Sequence, residues 1–325
     1  MTKLRLLITE PDAYDPVLIG RLEQEFEVHL ATPEDSVALR SLLKTLKPQA
    51  LLVGLGLEIG TAECDHVPEL RIVACPATGV EHIEVEALRQ RGIRLVSLRG
   101  RSSELSAVSG TAELAWGLLL ALARRLPAAH GSVISGDWRR NDFKGIQLRG
   151  KCLVVVGHGR LGGMVADFGR AFAMRVLIVD PEPKGRYAAD EVCSMDSALL
   201  QADAISLHVP LTDETREMIN EAVLARAVRS PLLINTSRGE IVDEVAVASA
   251  IRTGGLAGYG TDVISGDTAW GIRTAENPVT PLILEGYNVV VTPHVGGYTT
   301  DAMRFTRELI VNDLLAESKR PAFER

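Results

Sequence analysis

Short apolar runs recur along the chain at a nearly regular pitch. Between them, apolar residues return every three or four positions, the spacing of a helix with one buried face. Leu4–Thr9 reads as a buried strand, Val17–Phe26 as an amphipathic helix and Val28–Leu30 as a short strand. Ser36–Leu46 is helical and Ala50–Val53 is a strand, and Arg71–Cys75, Val85–Arg91 and Ile93–Val96 continue as strand, helix and strand. Strands alternating with helices at this pitch imply a parallel sheet covered on both faces. The first hundred residues are therefore expected to form a small α/β domain without a phosphate-binding fingerprint of its own.

Thr111–Arg125 is apolar on nearly every side, so it is expected to be buried between domains or subunits, with Pro127 ending it. A polar, turn-rich stretch follows from Gly136 to Gly150. Further apolar runs lie at Leu153–Val156, Val176–Val179, Ala204–Val209, Leu232–Ile234, Tyr259–Val263 and Val289–Thr292. Helices are expected at Met164–Ala173, Ser197–Leu200, Asp213–Leu224 and Val245–Arg252. This is enough for a six- or seven-stranded doubly wound sheet. A last helix, Thr299–Glu317, is expected to return to the first domain.

Bulk numbers narrow the class. A length of 325 residues suits two domains. The net charge of −7 argues against a general nucleic-acid surface. No apolar run reaches the length of a membrane span, the longest candidate, Leu114–Leu126, being broken by Arg124 and Arg125. The N-terminus turns acidic too soon for a signal peptide. Cys64, Cys75, Cys152 and Cys193 show no CxxC spacing, so no metal is expected and a reducing cytoplasm is the simplest home.

The chemistry concentrates after residue 150. Gly157-His158-Gly159-Arg160-Leu161-Gly162 joins a strand to a helix, and Asp180 ends the next strand, 18 residues past Gly162. Gly157 permits the tight turn, Gly159 removes the side chain that would block a phosphate, and Gly162 lets helix pack on strand. A carboxylate at the position of Asp180 can reach both hydroxyls of an adenine ribose and repel a 2′-phosphate, so NAD is expected over NADP. Lys184 and Arg186 lie close enough to soften that preference. The alternative is a glycine-rich turn with nothing bound. In open α/β sheets ligands sit at the carboxyl ends of strands. Those ends deliver Val209 and Pro210, then Thr236, Ser237 and Arg238, then Asp262, then His294, Gly296 and Gly297. An Arg, an Asp and a His thus converge on the nicotinamide end of a dinucleotide site.

With GHGRLG, SLHVPLTDETR, INTSRGEIVDE, the Asp262-Val263 pair and TPHVGG in this order, the chain resembles the D-isomer-specific 2-hydroxyacid dehydrogenases over nearly its whole length. The resemblance implies two doubly wound α/β domains with the active site in the cleft between them. A Rossmann NAD-binding domain (106–297) is inserted in a flavodoxin-like substrate domain (1–105 and 298–325). It implies interconversion of a D-2-hydroxy acid and its 2-keto acid. Arg238 matches the substrate arginine, whose planar fork can hold a carboxylate and polarise the adjacent carbonyl. His294 matches the acid/base. Thr78 and Gly79 match a loop that touches substrate and nicotinamide, and Leu55 and Gly56 match one whose N–H groups hold the substrate carboxylate. His82 and His208 are expected to be structural, and His158 occupies a free position in the glycine turn and need not act.

The chain departs from the family at the third catalytic group. A Glu is usual five residues after the Asp262 position, and here that residue is Asp267, one methylene shorter. Glu276 is the other candidate, beyond an insertion-like stretch from Thr268 to Ala275. This departure keeps a second class open, an NAD-sensing binding protein like the related corepressors, with little turnover. A formate or phosphite dehydrogenase is a third reading, but the Gln–His pair of the one and the Lys near Thr78 of the other are both missing. A homodimer formed through Thr111–Arg125 is expected.

Overall fold

The computed structural model describes residues 3–185, 187–188, 191–267 and 276–320. They divide into two compact units, one holding residues 3–108 and 300–320, the other 109–267 and 276–299.

In the first unit β1 (Leu4–Ile8), α1 (Pro16–Glu25), β2 (Phe26–Leu30), α2 (Ser36–Leu46), β3 (Ala50–Leu52), α3 (Thr61–Asp65), β4 (Ile72–Cys75), α4 (Val85–Gln90) and β5 (Arg94–Ser97) alternate. The five strands are parallel, in the order β2-β1-β3-β4-β5. This is the flavodoxin-like order. Helix starts are chemically marked: Asp15 accepts from the Leu18 N–H ahead of α1, and Asp35 from the Ala38 N–H ahead of α2. Leu7, Leu51 and Val73 fill one face of the sheet and Leu6, Ile8 and Leu52 the other.

The second unit opens with α5 (Gly110–Ala123) and α6 (Leu126–Ile134). Then come β6 (Cys152–Val156), α7 (Arg160–Ala171), β7 (Arg175–Val179), α8 (Met195–Leu199), β8 (Ala204–Leu207), α9 (Glu221–Leu224), β9 (Leu232–Asn235), α10 (Glu244–Thr253), β10 (Gly258–Thr261), α11 (Pro281–Leu284) and β11 (Val289–Val291). Six parallel strands stand in the order β11-β10-β9-β8-β6-β7. The strand order reverses beside β6, which is where such sheets hold ligands. The last helix, α12 (Thr300–Ser318), belongs to the first unit, where Ile310, Val311 and Leu314 join the layer containing Leu6 and Ile8.

Four expectations are corrected. Pro127 does not end the apolar helix; α5 stops at Ala123, Arg125 takes a left-handed φ of 53°, and Leu126-Pro127 begin α6. Proline suits a first helical turn, where its missing N–H would have had no partner. The stretch Asp213–Leu224 is helical only from Glu221, because the Thr212 N–H donates to the Thr215 hydroxyl, which itself donates to the Pro210 carbonyl instead. Burial of α5 needs no second domain or subunit: Trp116, Leu118, Leu119 and Leu122 pack with Leu153, Val155 and Ile234 of their own unit. Finally, Glu104–Ala123 is long and apolar enough, by length and composition, to cross a membrane, although its α5 portion packs as a core helix does.

Candidate active site

The glycine turn is shaped by backbone contact. Gly157 has a φ of +87°, and a Cβ there would stand 2.6 Å from the His208 carbonyl oxygen. A Cβ on Gly162 would meet the Gly157 oxygen at 1.9 Å, so turn and helix touch. Around Gly159, by contrast, an added Cβ meets nothing within 4 Å. Gly159 is the N-cap of α7 and offers no side chain to the first N–H groups of that 12-residue helix, which begins with Arg160 and Leu161. The result is an open, donor-lined concavity for an anion. At the end of the adjacent strand Asp180 accepts from the His158 N–H at 2.6 Å and the Glu182 N–H at 2.7 Å. Arg186, one of the two cations expected to soften cofactor choice, lies outside the described residues.

The neighbouring strand ends carry the other expected cofactor residues. Val209 and Pro210 follow β8. His208, just before them, bonds through Nε2 to the Ser206 hydroxyl at 2.8 Å. Desolvation of its ring, followed by the proximity of His158, lowers its pKa to about 4. After β9, Thr236 is buried and its hydroxyl has no hydrogen-bond partner among the described residues. An orphaned hydroxyl at a ligand-binding strand end fits a site completed by a polar cofactor. Ser237 donates to the Leu207 carbonyl at 2.8 Å, and Asn235 donates to the Arg238 carbonyl at 2.8 Å, fixing the backbone that presents Arg238.

The arginine loop and the acid loop are packed together. A Cβ on Gly239 would lie 2.0 Å from the Ile264 carbonyl carbon, so only glycine allows this approach. The Glu244 carboxylate accepts from the Ser265 N–H at 3.0 Å and from the Asn277 amide at 2.6 Å, while Glu240 accepts from the Gly266 N–H at 3.1 Å. These acids hold the loop that carries Asp267. Burial pushes the Glu244 carboxyl up, against the hydrogen bonds it accepts.

His294 sits opposite. Asp267 Oδ2 stands 3.0 Å from His294 Nδ1. His294 has a φ of +54°, uncommon for a residue with a side chain. Its N–H donates to the carbonyls of Asp262 and Thr292, at 2.9 and 3.0 Å, which fixes this conformation. The Asp262 carboxylate accepts from the Thr292 hydroxyl, the Val295 N–H and the Gly296 N–H at 2.5, 2.9 and 2.7 Å. Burial raises its pKa and these bonds oppose the rise. Its oxygens thus brace the histidine loop. A Cβ on Gly296 would come within 2.9 Å of Asp262 Oδ2, whereas Gly297 faces open space.

Arg238, Asp267, His294 and Asp262 therefore share one unit and three interlocked loops. Glu276, the other acid considered, is exposed, and the stretch from Thr268 to Ala275 before it lies outside the described residues. Leu55, Gly56, Thr78 and Gly79 belong to the other unit, on the loops that follow β3 and β4. There the Glu10 carboxylate lies against Gly54, so close that a Cβ would meet it at 1.9 Å. Sequence reading missed Glu10 and the two bracing acids Glu240 and Glu244, although both bracing acids stand in INTSRGEIVDE.

Residues 116–296 match the model of the D-isomer specific 2-hydroxyacid dehydrogenase NAD binding domain. Glyoxylate reductase of Thermococcus kodakarensis is 34% identical over 310 residues, covering 92% of this chain and 89% of the relative. D-3-phosphoglycerate dehydrogenase of Methanocaldococcus jannaschii is 32% identical over 96% of this chain, which spans 57% of that protein's length. Among solved structures, the TT0316 protein from Thermus thermophilus superposes with a TM-score of 0.82 at 32% identity, covering 98% of both chains. D-lactate dehydrogenase from Aquifex aeolicus, complexed with NAD and lactic acid, superposes at 0.81 with 26% identity, covering 97% of this chain and 95% of its own.

Proposed function

The chain belongs to the D-isomer-specific 2-hydroxyacid dehydrogenase family, and from that premise we propose how its own residues carry out the reaction and on what. It is an NAD-dependent oxidoreductase acting on CH–OH donors. The preferred substrate is a small 2-keto acid, with glyoxylate first to be tried because several relatives are glyoxylate reductases. When bound, the reduced nicotinamide supplies the hydride. Arg238 holds the substrate carboxylate and draws electron density from the carbonyl. His294 donates the proton that the carbonyl oxygen takes up as its carbon is reduced. Asp267 occupies Nδ1, which leaves Nε2 as the atom that carries this proton, and stabilises the imidazolium. Thr236 and the bare turn at Gly159 receive the cofactor, and Asp180 takes the adenine ribose.

The observation that carries this reading is the 3.0 Å contact between Asp267 and His294 on a loop locked to that of Arg238. Asp has replaced the usual Glu, yet the contact is made, which supports turnover over a sensing role. The test is NADH consumption by the purified chain with a panel of 2-keto acids. Asp267→Asn is expected to lower kcat by roughly a hundredfold. Arg238→Ala should cut kcat/KM at every pH. NAD binding without turnover of any acid in the panel would overturn the proposal in favour of the sensing alternative.

We also place the protein in the cytoplasm as a homodimer. The four thiols are unpaired. Burial pushes Cys75 up to about 12, so that thiol is inert. The surface for pairing is α6 and its continuation, where Leu126, Val133, Ile134 and Trp138 are exposed.

A further inference from the structure

His158 fills the first variable position of the glycine turn, a place that makes no demand for histidine. Its side chain is completely buried. Nδ1 stands 2.7 Å from the Lys184 carbonyl oxygen. A carbonyl only accepts, so Nδ1 carries the hydrogen. Nε2 is buried without a partner among the described residues, so the ring is held for that one bond. Backbone bonds lie beside it: the Lys184 N–H donates to the His158 carbonyl at 3.0 Å, and the His158 N–H donates to Asp180. The Tyr187 ring meets the imidazole edge-on with centroids 5.8 Å apart. Further along, the Ala188 N–H donates to Glu191, which pairs with Arg170 of α7.

We propose that His158 is a positioning residue for cofactor choice: its ring clamps the loop after β7 onto the glycine turn and so fixes the Asp180 carboxylate in the place that accepts ribose hydroxyls and repels a 2′-phosphate. The inference rests on the assignment of Asp180 to the ribose. Selection between NADH and NADPH is a difference of affinities, and a carboxylate discriminates only if it cannot swing aside. A side chain without a donor at Nδ1 leaves the Lys184 carbonyl unbonded and the loop loose. Asp180 then holds the ribose less well. It also yields to a phosphate with the exposed Lys184 at hand.

The test compares His158→Leu, His158→Gln and His158→Asn with the parent. An asparagine amide stands where Nδ1 does, while a glutamine amide stands near Nε2. Dissociation constants for NADH and NADPH are measured by calorimetry, alongside KM, kcat and the melting temperature. Leu and Gln should lower the NADH-over-NADPH affinity ratio about five- to tenfold, the scale of one hydrogen bond, with the loss in KM, and Asn should restore it. Should Leu fail to fold, the Gln–Asn contrast decides. Equal weakening of both cofactors, or a fall in melting temperature with the ratio intact, overturns the inference and leaves a merely structural histidine. Asp180→Ser is the control: an unchanged ratio there overturns the ribose assignment and this inference with it. A shift with Asp180→Ser but not with His158→Gln overturns the inference alone.

Discussion

His208 shows how one residue acquires a property that its neighbours in sequence do not announce. It ends β8, its carbonyl presses on Gly157, and its ring is desolvated with a pKa near 4 instead of 6.5. The unfolded chain therefore binds a proton in the interval between those values that the folded chain does not. Stability contributed by this group is full above pH 6.5 and is lost as pH falls toward 4. Allowing for partial exposure, the loss is about 2 kcal/mol. Melting temperatures measured from pH 7 to pH 4 should fall, and His208→Gln should flatten that slope while keeping a polar partner for Ser206. An unchanged slope would assign the acid sensitivity to carboxylates elsewhere. At this scale the sequence showed which residue types gather at the strand ends. It could not show that Asp262 would spend its oxygens on the 292–296 loop, or that His294 would sit at positive φ. Both depend on carbonyls and N–H groups brought from β10 and β11, and neither leaves a trace in side-chain order.

At the scale of elements, strands were legible because fully buried parallel strands are short β-branched runs, as Leu153–Val156 is. Helix limits were less so. Apolar spacing through Asp213–Leu224 is compatible with a helix, but the threonine hydroxyls capture the backbone first. The glycines separate two kinds of constraint that look alike in sequence. Gly159→Ala adds a methyl that meets nothing, so stability should stay within about 0.5 kcal/mol while NADH affinity falls at least tenfold, because the methyl enters the phosphate concavity. Gly239→Ala must push Ile264 and Ser265 aside and should cost about 3 kcal/mol, with loss of the Asp267–His294 contact. Thermal melts and NADH titrations of the two variants should therefore diverge; parallel losses would refute the division.

For the molecule as a whole, the sequence showed two α/β folds and their strand pattern, while its expectation for the apolar helix failed in an informative way. Apolarity on all sides of α5 points to burial between domains or subunits, yet the sheet of its own unit packs against its buried face. If the chain dimerises, the exposed α6 and Trp138 are the better surface, since no residue of α6 is buried. Sedimentation at micromolar protein should give twice the chain mass, and Ile134→Glu with Trp138→Glu should give the monomer; a parent that already runs as a monomer would exclude the dimer.

The first unit takes α12 from the far end of the polypeptide, with Ile310, Val311 and Leu314 closing the layer over Leu6 and Ile8. Translation delivers these pieces far apart in time. When residues 3–108 have left the ribosome, α1 covers one part of this face through Leu18 and Leu22, but nearly two hundred residues must be made before α12 exists to cover the rest. The middle unit, continuous in sequence, can fold meanwhile and bring the two ends of its surroundings together. The nascent chain thus carries a partly uncovered apolar strand layer open to chaperones or to other nascent chains until α12 emerges, and a product stalled before α12 would keep that part exposed.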